Sequence, residues 1–258
     1  MNFISDAINL LLPPSCTVCG YPLRRGFLCS LCQVDAPEGS YRLSSLPKRL
    51  IDINFCRICA APLPVSGKLC QQCRLAQPAF NSLRHVWWYT GNIRDAIVVA
   101  KFNPSLKLTR HISRLAAEYL PRLYKNFYWD LITCVPPSAK THTKRGFNQS
   151  AVLAKEISKL TGIKPAYRAL KRCKRNPPQV GLDAHKRKHN MKNAIICRVN
   201  LSGLKILLVD DVFTTGETAS ACTKALISAG AACTDIFTIA RSENNLIIPR
   251  ITVTKAAL

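Results

Sequence analysis

The sequence predicts a two-part chain: a small cysteine-rich module over residues 1–80, then an α/β domain over 81–258 with a mostly parallel sheet and helices on both faces. Three observations predict it: four C-x-x-C pairs before residue 80, apolar strand-like runs alternating with helix-periodic segments after it, and one strand that ends in two adjacent aspartates and a Thr/Gly loop. A chain of 258 residues can bury a full core, and a hydrophobic share of 48% excludes a disordered chain. No apolar run is long enough to span a membrane. Phe3 to Leu12 is apolar but short and contains Asp6; without a basic flank or a small-residue cleavage site it reads as a short helix and not a signal peptide.

The N-terminal module is defined by Cys16-x2-Cys19, Cys29-x2-Cys32, Cys56-x2-Cys59 and Cys70-x2-Cys73. Nine residues separate the pairs of the first set and ten those of the second. A C-x-x-C pair chelates a soft tetrahedral cation through its thiolates. Eight thiolates imply two closed, structural Zn²⁺ sites, a double zinc-ribbon module, with iron–sulfur as the runner-up metal chemistry. Spacing leaves open whether each ion joins neighbouring pairs or pairs from both sets. Gly20, Pro22 and Gly26 supply turns in the first unit, Pro62, Pro64 and Gly67 in the second, and residues 36–53 link the two. Metal would supply much of the folding free energy of a module with so little core. The other five cysteines, Cys134, Cys173, Cys197, Cys222 and Cys233, read mostly as small apolar core residues.

From Leu83 the pattern becomes that of a layered domain. His85 to Thr90 reads as a strand with an aromatic face; Trp87 and Trp88 suit core packing better than base stacking, because one of two adjacent strand residues faces inward. Ile93 to Phe102 and Leu106 to Leu120 read as helices, split at Asn103-Pro104. Trp129 to Val135 is a buried strand stopped by Pro136-Pro137. A basic loop with Lys140, Lys144 and Arg145 then leads to a helix from Asn148 to about Leu160. Lys171 to Asn190 reads as a long, basic, functional loop able to close over a site. Within these loops His142, His185 and His189 suit a solvated role better than general-base work. Ile206 to Val209 and Ile236 to Ala240 supply two more strands, with a helix from Ala219 to Ala229 between them.

Chemistry concentrates where the strand Ile206 to Val209 gives way to Asp210-Asp211-Val212-Phe213-Thr214-Thr215-Gly216-Glu217-Thr218. Ligands of open α/β sheets sit outside the carboxyl ends of the strands. A helix start offers free N–H groups and the positive end of a dipole to a phosphate. Gly216 allows close approach, and the threonines add hydroxyl donors. Asp210 and Asp211 can accept from two vicinal hydroxyls, directly or through Mg²⁺. No G-x-x-x-x-G-K-[ST] run is present, which argues against a Walker-type site. The formal net charge is +23, and residues 136–200 hold 16 Lys/Arg against Glu156 and Asp183. Polyanions are therefore expected partners: pyrophosphate groups, nucleic acid, or both.

The aspartate–threonine segment resembles the phosphoribosyl-pyrophosphate (PRPP) motif of type I phosphoribosyltransferases. Together with the tandem cysteine pairs, Arg145-Gly-Phe-Asn-Gln149, and Pro178 to Leu182 followed by Arg187 and Asn190, it makes nearly the whole chain resemble the ComF family of bacterial DNA-uptake proteins. The resemblance implies a type I phosphoribosyltransferase-like fold, PRPP with Mg²⁺, structural zinc, and a role in natural transformation. It further implies single-stranded DNA and other DNA-uptake proteins as partners. A cytoplasmic location is expected, with the inner membrane reached only through partners. Asp210 and Asp211 would hold the ribose hydroxyls, and the loop from Phe213 to Thr218 the 5′-phosphate, with Val212 in the same PRPP set. Lys101, in a Lys-Phe pair before the helix break, joins the PRPP set, and Arg145 would meet pyrophosphate. Lys171, Arg172, Lys174, Arg175, Lys186, Arg187 and Lys188 are the expected nucleic-acid contacts. Two functions stay open: a PRPP- and DNA-binding protein, or an active phosphoribosyltransferase of nucleotide metabolism with an unknown acceptor.

Overall fold

A computed structural model describes residues 15–23, 27–30, 32, 54–63, 67–125, 128–137, 146–173 and 194–242. The expected N-terminal helix, the 36–53 linker, Lys140, Lys144, Arg145, the three loop histidines, Lys174, Arg175, Lys186, Arg187, Lys188 and the Pro178–Asn190 block lie outside these residues.

The sheet is built around β7 (Lys205–Phe213), whose residues Ile206, Leu207, Leu208 and Val209 are all fully buried. A strand buried on both faces belongs inside a parallel sheet. β8 (Cys233–Arg241) pairs with it in parallel, β3 (Ser82–Trp88) pairs in parallel with β8, and β4 (Leu131–Cys134) pairs in parallel with β7. The order is β3-β8-β7-β4. The expectation of a mostly parallel sheet holds. The strand does not stop before the aspartates, however: the ladder to β8 runs on through Asp210↔Thr238 to Phe213↔Arg241. This continuation fixes both acidic side chains to a rigid element.

Side chains of successive strand residues point to opposite faces. Leu207, Val209, Phe237 and Ile239 face α2 (Gly91–Phe102), α3 (Leu106–Glu118) and α5 (Gln149–Thr161). Ile206, Leu208 and Ile236 face α6 (Glu217–Ser228). Burying each such aliphatic side chain contributes about 1.5–3 kcal/mol. Helices therefore cover both faces, as the sequence predicts. Trp87 packs in this core near Tyr119, at 6.4 Å between ring centroids, which confirms the packing role.

Helix ends follow local chemistry. Ser105 caps α3, its hydroxyl accepting from the Leu108 N–H at 3.2 Å, and Asn148 caps α5 by accepting from the Ser150 N–H at 3.1 Å. Gly162 ends α5 at φ 73°. The helix expected to run to Leu120 instead ends at Glu118 and resumes as the single turn α4 (Leu120–Leu123). Pro121 is the reason, since it lacks an N–H for the helix ladder and its ring collides with the preceding turn.

A second departure concerns Lys171. The segment expected to be loop from Lys171 opens as β5 (Leu170–Cys173), paired antiparallel with β6 (Ala194–Cys197). Leu170 anchors this hairpin by burying itself beside α6, and the basic residues that follow hide the strand from a reading of pattern alone.

Short pieces precede the sheet. In the second cysteine unit, β1 (Asn54–Phe55) pairs with β2 (Pro62–Leu63), and α1 (Gln71–Leu75) carries Cys73. This unit packs in the same cluster as α6. Val18, Phe27 and Leu28 of the first unit pack instead against the α2–α3–α5 cluster, with Phe27 edge-on to His111 at 5.1 Å. No described helix is long and apolar enough to cross a membrane.

Candidate ligand site at the strand ends

Asp210 and Asp211 stand on β7 beside the end of β4 and the start of α5. Asp210 Oδ1 accepts from the Ser150 hydroxyl at 2.8 Å and from the Asp211 N–H at 2.9 Å. Asp211 Oδ2 pairs with Lys101 Nζ at 2.8 Å, from the last turn of α2. The structure thus brings Lys101 to the acidic pair. Burial, and next the charge of Asp211, push the Asp210 carboxyl from 3.8 up to about 7, against the pull of the Ser150 hydroxyl and Lys101. Cys134 and Cys222 lie beneath it, both buried, and burial with the Asp210 charge pushes each thiol up to about 12. Those two cysteines are core residues as expected; Cys173, Cys197 and Cys233 are only half-buried.

A pocket of about 210 Å³ opens above the pair, with Thr218 and Arg172 on its wall. Arg172 donates from Nε to the Pro136 carbonyl at 2.9 Å, which fixes its guanidinium at this rim. Lys171, its neighbour on β5, is exposed. The wall opposite comes from the start of α5. Asn148 donates to the Val135 carbonyl at 3.0 Å while capping the helix, so the helix start is tied to the end of β4. Gln149 is buried, lines the pocket, and has its Oε1 unpaired among the described residues. Sequence reasoning gave Ser150 and Gln149 no role and placed Arg172 with DNA. The Asn-x-Ser helix cap beside a strand end was the signal for the first two.

The loop after β7, expected to take the 5′-phosphate, makes a tight turn into the start of α6. Gly216 sits at φ 83° as the residue before α6. A Cβ there would stand 2.7 Å from the Phe213 ring, so the loop is packed tightly onto that ring. Thr214 and Thr215 are exposed, and the first turn of α6 presents its N–H groups toward them. Glu217 is exposed too, where solvent screens its charge. A cavity of about 680 Å³ separates this loop from the second cysteine unit. Arg241, at the end of β8, crosses behind it: its guanidinium donates to the Cys59 carbonyl and lies 5.0 Å from the centre of the Phe213 ring. The Phe213 ring under this loop is therefore linked through Arg241 to the cysteine unit.

Both cysteine sets close on themselves. Cys16, Cys19, Cys29 and Cys32 form one cluster and Cys56, Cys59, Cys70 and Cys73 the other, with the sulfurs of each within 4.8 Å of one another. This resolves the pairing that spacing left open: each site joins neighbouring pairs. Cys19 and Cys29 sulfurs are 3.7 Å apart, and Cys59 and Cys70 sulfurs 3.6 Å. Four thiolates around one ion at about 2.3 Å stand about 3.8 Å apart, so each cluster fits a single tetrahedral ion such as zinc. The spacing is too long for disulfides and leaves no room for a multi-iron cluster. Burial opposes ionisation of Cys16 and Cys56, but backbone groups of Cys19 and Cys29, and of Cys59 and Cys70, bring them down to about 6 and about 7. Burial first, then the neighbouring sulfurs, drives Cys32 and Cys73 up. A cation is what allows all four to ionise together.

No family model matches the chain. Similar curated proteins are the DNA utilization protein YhgH of Escherichia coli K12, 29% identical over 83% of this chain and 97% of that protein, and Competence protein F of Haemophilus influenzae, 26% identical over 77% and 90%. Competence protein ComFC of Bacillus subtilis is 24% identical over 73% and 78%. The chain is similar to competence and DNA-utilization proteins over most of its length. That likeness agrees with the ComF resemblance read from the motifs. Among solved structures, glutamine PRPP amidotransferase of B. subtilis aligns at 17% identity over 50% of this chain and 25% of its own, TM-score 0.34. Purine phosphoribosyltransferase of Pyrococcus horikoshii aligns at 16% identity over 53% and 85%, TM-score 0.33.

Proposed function

We propose that the chain binds PRPP with Mg²⁺ at the β7 strand end and binds single-stranded DNA, in the service of DNA uptake and utilization. One observation carries the ligand assignment: a half-buried acidic pair on a rigid strand, lining a pocket and continuous with a helix that starts after Gly216. Asp210 and Asp211 would take the ribose hydroxyls, Thr214 to Thr218 the 5′-phosphate, and Arg145 and Arg172 the pyrophosphate charge, with Lys101 serving the PRPP site through Asp211. The acidic pair fits Mg²⁺, because two adjacent carboxylates line one pocket and offer the hard oxygen donors that this ion takes. Bound Mg²⁺ would supply neutralisation of pyrophosphate. The fold's own groups supply position: Ser150 orients Asp210, and Lys101 holds Asp211.

The names of the similar proteins support the second half of the reading, as does the basic charge of the chain. Thermal melts test the first half. PRPP with Mg²⁺ at about a hundred times the dissociation constant should stabilise the chain by about 2.7 kcal/mol. An unshifted melt at millimolar-range PRPP counts against the site. Pyrophosphate release in the presence of bases, nucleosides or single-stranded DNA would show transfer as well as binding, the enzyme reading.

A further inference from the structure

At the amino-terminal ends of β3, β7 and β8, remote along the strands from the aspartates, two clefts adjoin. One of about 500 Å³ lies between the second cysteine unit and β3, with Arg57, Lys68 and Arg84 on its walls. The other, about 400 Å³, runs below β7 and β8 and carries Lys125, Tyr128 and Lys205. Both are bounded by Asn81, Ser82 and Arg84, so they form one trough. Its described lining holds five cations against one carboxylate, Asp235. That carboxylate is engaged by Asn81, Ser82 and the Trp129 indole at 2.9, 2.6 and 2.9 Å. Asp130 beside it accepts from the Lys205 N–H at 2.8 Å.

The trough is more than a solvated basic face. Arg84 is held at its midpoint by donating to the Arg57 and Leu83 carbonyls at 3.1 and 2.8 Å, with its guanidinium 5.6 Å from the Tyr124 ring centre. Tyr124 is itself fixed, donating to the Ile236 carbonyl at 2.8 Å. Tyr128 is 74% exposed, and Lys205 Nζ lies 5.8 Å from its ring centre. A cationic groove that tracks a backbone, with an aromatic ring open for stacking, is the arrangement that holds single strands. We propose that this trough is the seat of single-stranded nucleic acid, with phosphates on Arg57, Lys68, Arg84, Lys125 and Lys205 and a base on Tyr128. The choice of occupant rests on the DNA half of the proposed function; the location rests on the geometry. PRPP and the strand then occupy opposite ends of the sheet and bind together instead of competing.

The test is fluorescence anisotropy of a labelled oligothymidylate with the full metal-loaded chain. Combining Arg57→Gln, Lys68→Gln, Lys125→Gln and Lys205→Gln should weaken binding about tenfold or more and flatten the salt dependence by about 2 to 3, near 0.7 per lost phosphate contact. A control with the same charge change, Lys107→Gln, Arg110→Gln, Arg114→Gln and Lys155→Gln, should lose far less. Tyr128→Ala should weaken binding about fivefold or more while Tyr128→Phe holds it. Equal losses in trough and control variants, tighter binding of duplex, displacement by polyglutamate as readily as by cold oligonucleotide, or competition by PRPP would each overturn the proposal. Wild-type chain that ignores the oligonucleotide overturns it and the DNA half of the function together, while leaving PRPP binding standing on its own titration.

Discussion

Asp210 holds its proton up to about 7 in the folded chain against 3.8 ordinarily, burial being the larger cause and Asp211 the next. Between those values the folded chain keeps a proton that the unfolded chain has released. Stability of the ligand-free chain therefore falls as pH rises from about 4 to about 7, because of this group. Affinity for PRPP with Mg²⁺ runs the other way, rising through about 7 as the carboxylate forms. Asp210→Asn should flatten the pH dependence of melting and remove the rise in affinity; melts and titrations across that window check both. At Gly216, φ 83° and the Phe213 ring 2.7 Å from any added Cβ leave no room for alanine. Gly216→Ala should cost about 1–2 kcal/mol of stability from the left-handed backbone alone. It should weaken PRPP binding as well, measured by denaturant melts and titration. If Gly216→Ala bound PRPP like wild type, the loop would not be the phosphate seat.

At the scale of elements, Arg241 ties the end of β8 to the Cys59 carbonyl and to Phe213 beneath the loop after β7. The first cysteine cluster has no such tie among the described residues and packs toward α3 through Phe27. Breaking the second cluster with Cys73→Ser should thus weaken PRPP binding several-fold, whereas Cys16→Ser should lower metal content with a smaller effect on PRPP; metal analysis beside titration checks the contrast. The core elements were legible in the sequence because their signals are local. Four consecutive apolar residues mark β7, Asn148 marks the start of α5, and Asn103-Pro104 splits α2 from α3. The β5–β6 hairpin was not legible, since Lys171 and Arg172 mask a strand held by Leu170 and by its partner. The aspartates and their loop were legible as a contiguous motif. Ser150, Gln149 and Arg172 reach the same pocket from distant segments, and only the folded chain brings them there.

Over the whole molecule, charge shows the same division. The excess in residues 136–200 is plain in the sequence and lies partly outside the described residues. The basic trough is gathered from Arg57, Lys68, Arg84, Lys125 and Lys205, too far apart along the chain to register as a run. The first cysteine unit packs on the α2–α3–α5 side of the sheet and the second on the α6 side, across a cavity from the loop after β7. The resulting molecule has a pocket lined by an acidic pair at one end of its strands, where PRPP is proposed to bind, and a cationic groove at the other. Calorimetric titration of PRPP into the metal-loaded chain, with and without Mg²⁺, tests the centre of this account most directly when repeated on the Asp210→Asn, Asp211→Asn double variant. The expected result is one PRPP per chain, dependent on Mg²⁺, and no binding to a double variant that remains folded. Silence from the wild-type chain, or unaltered binding by the folded double variant, would contradict it.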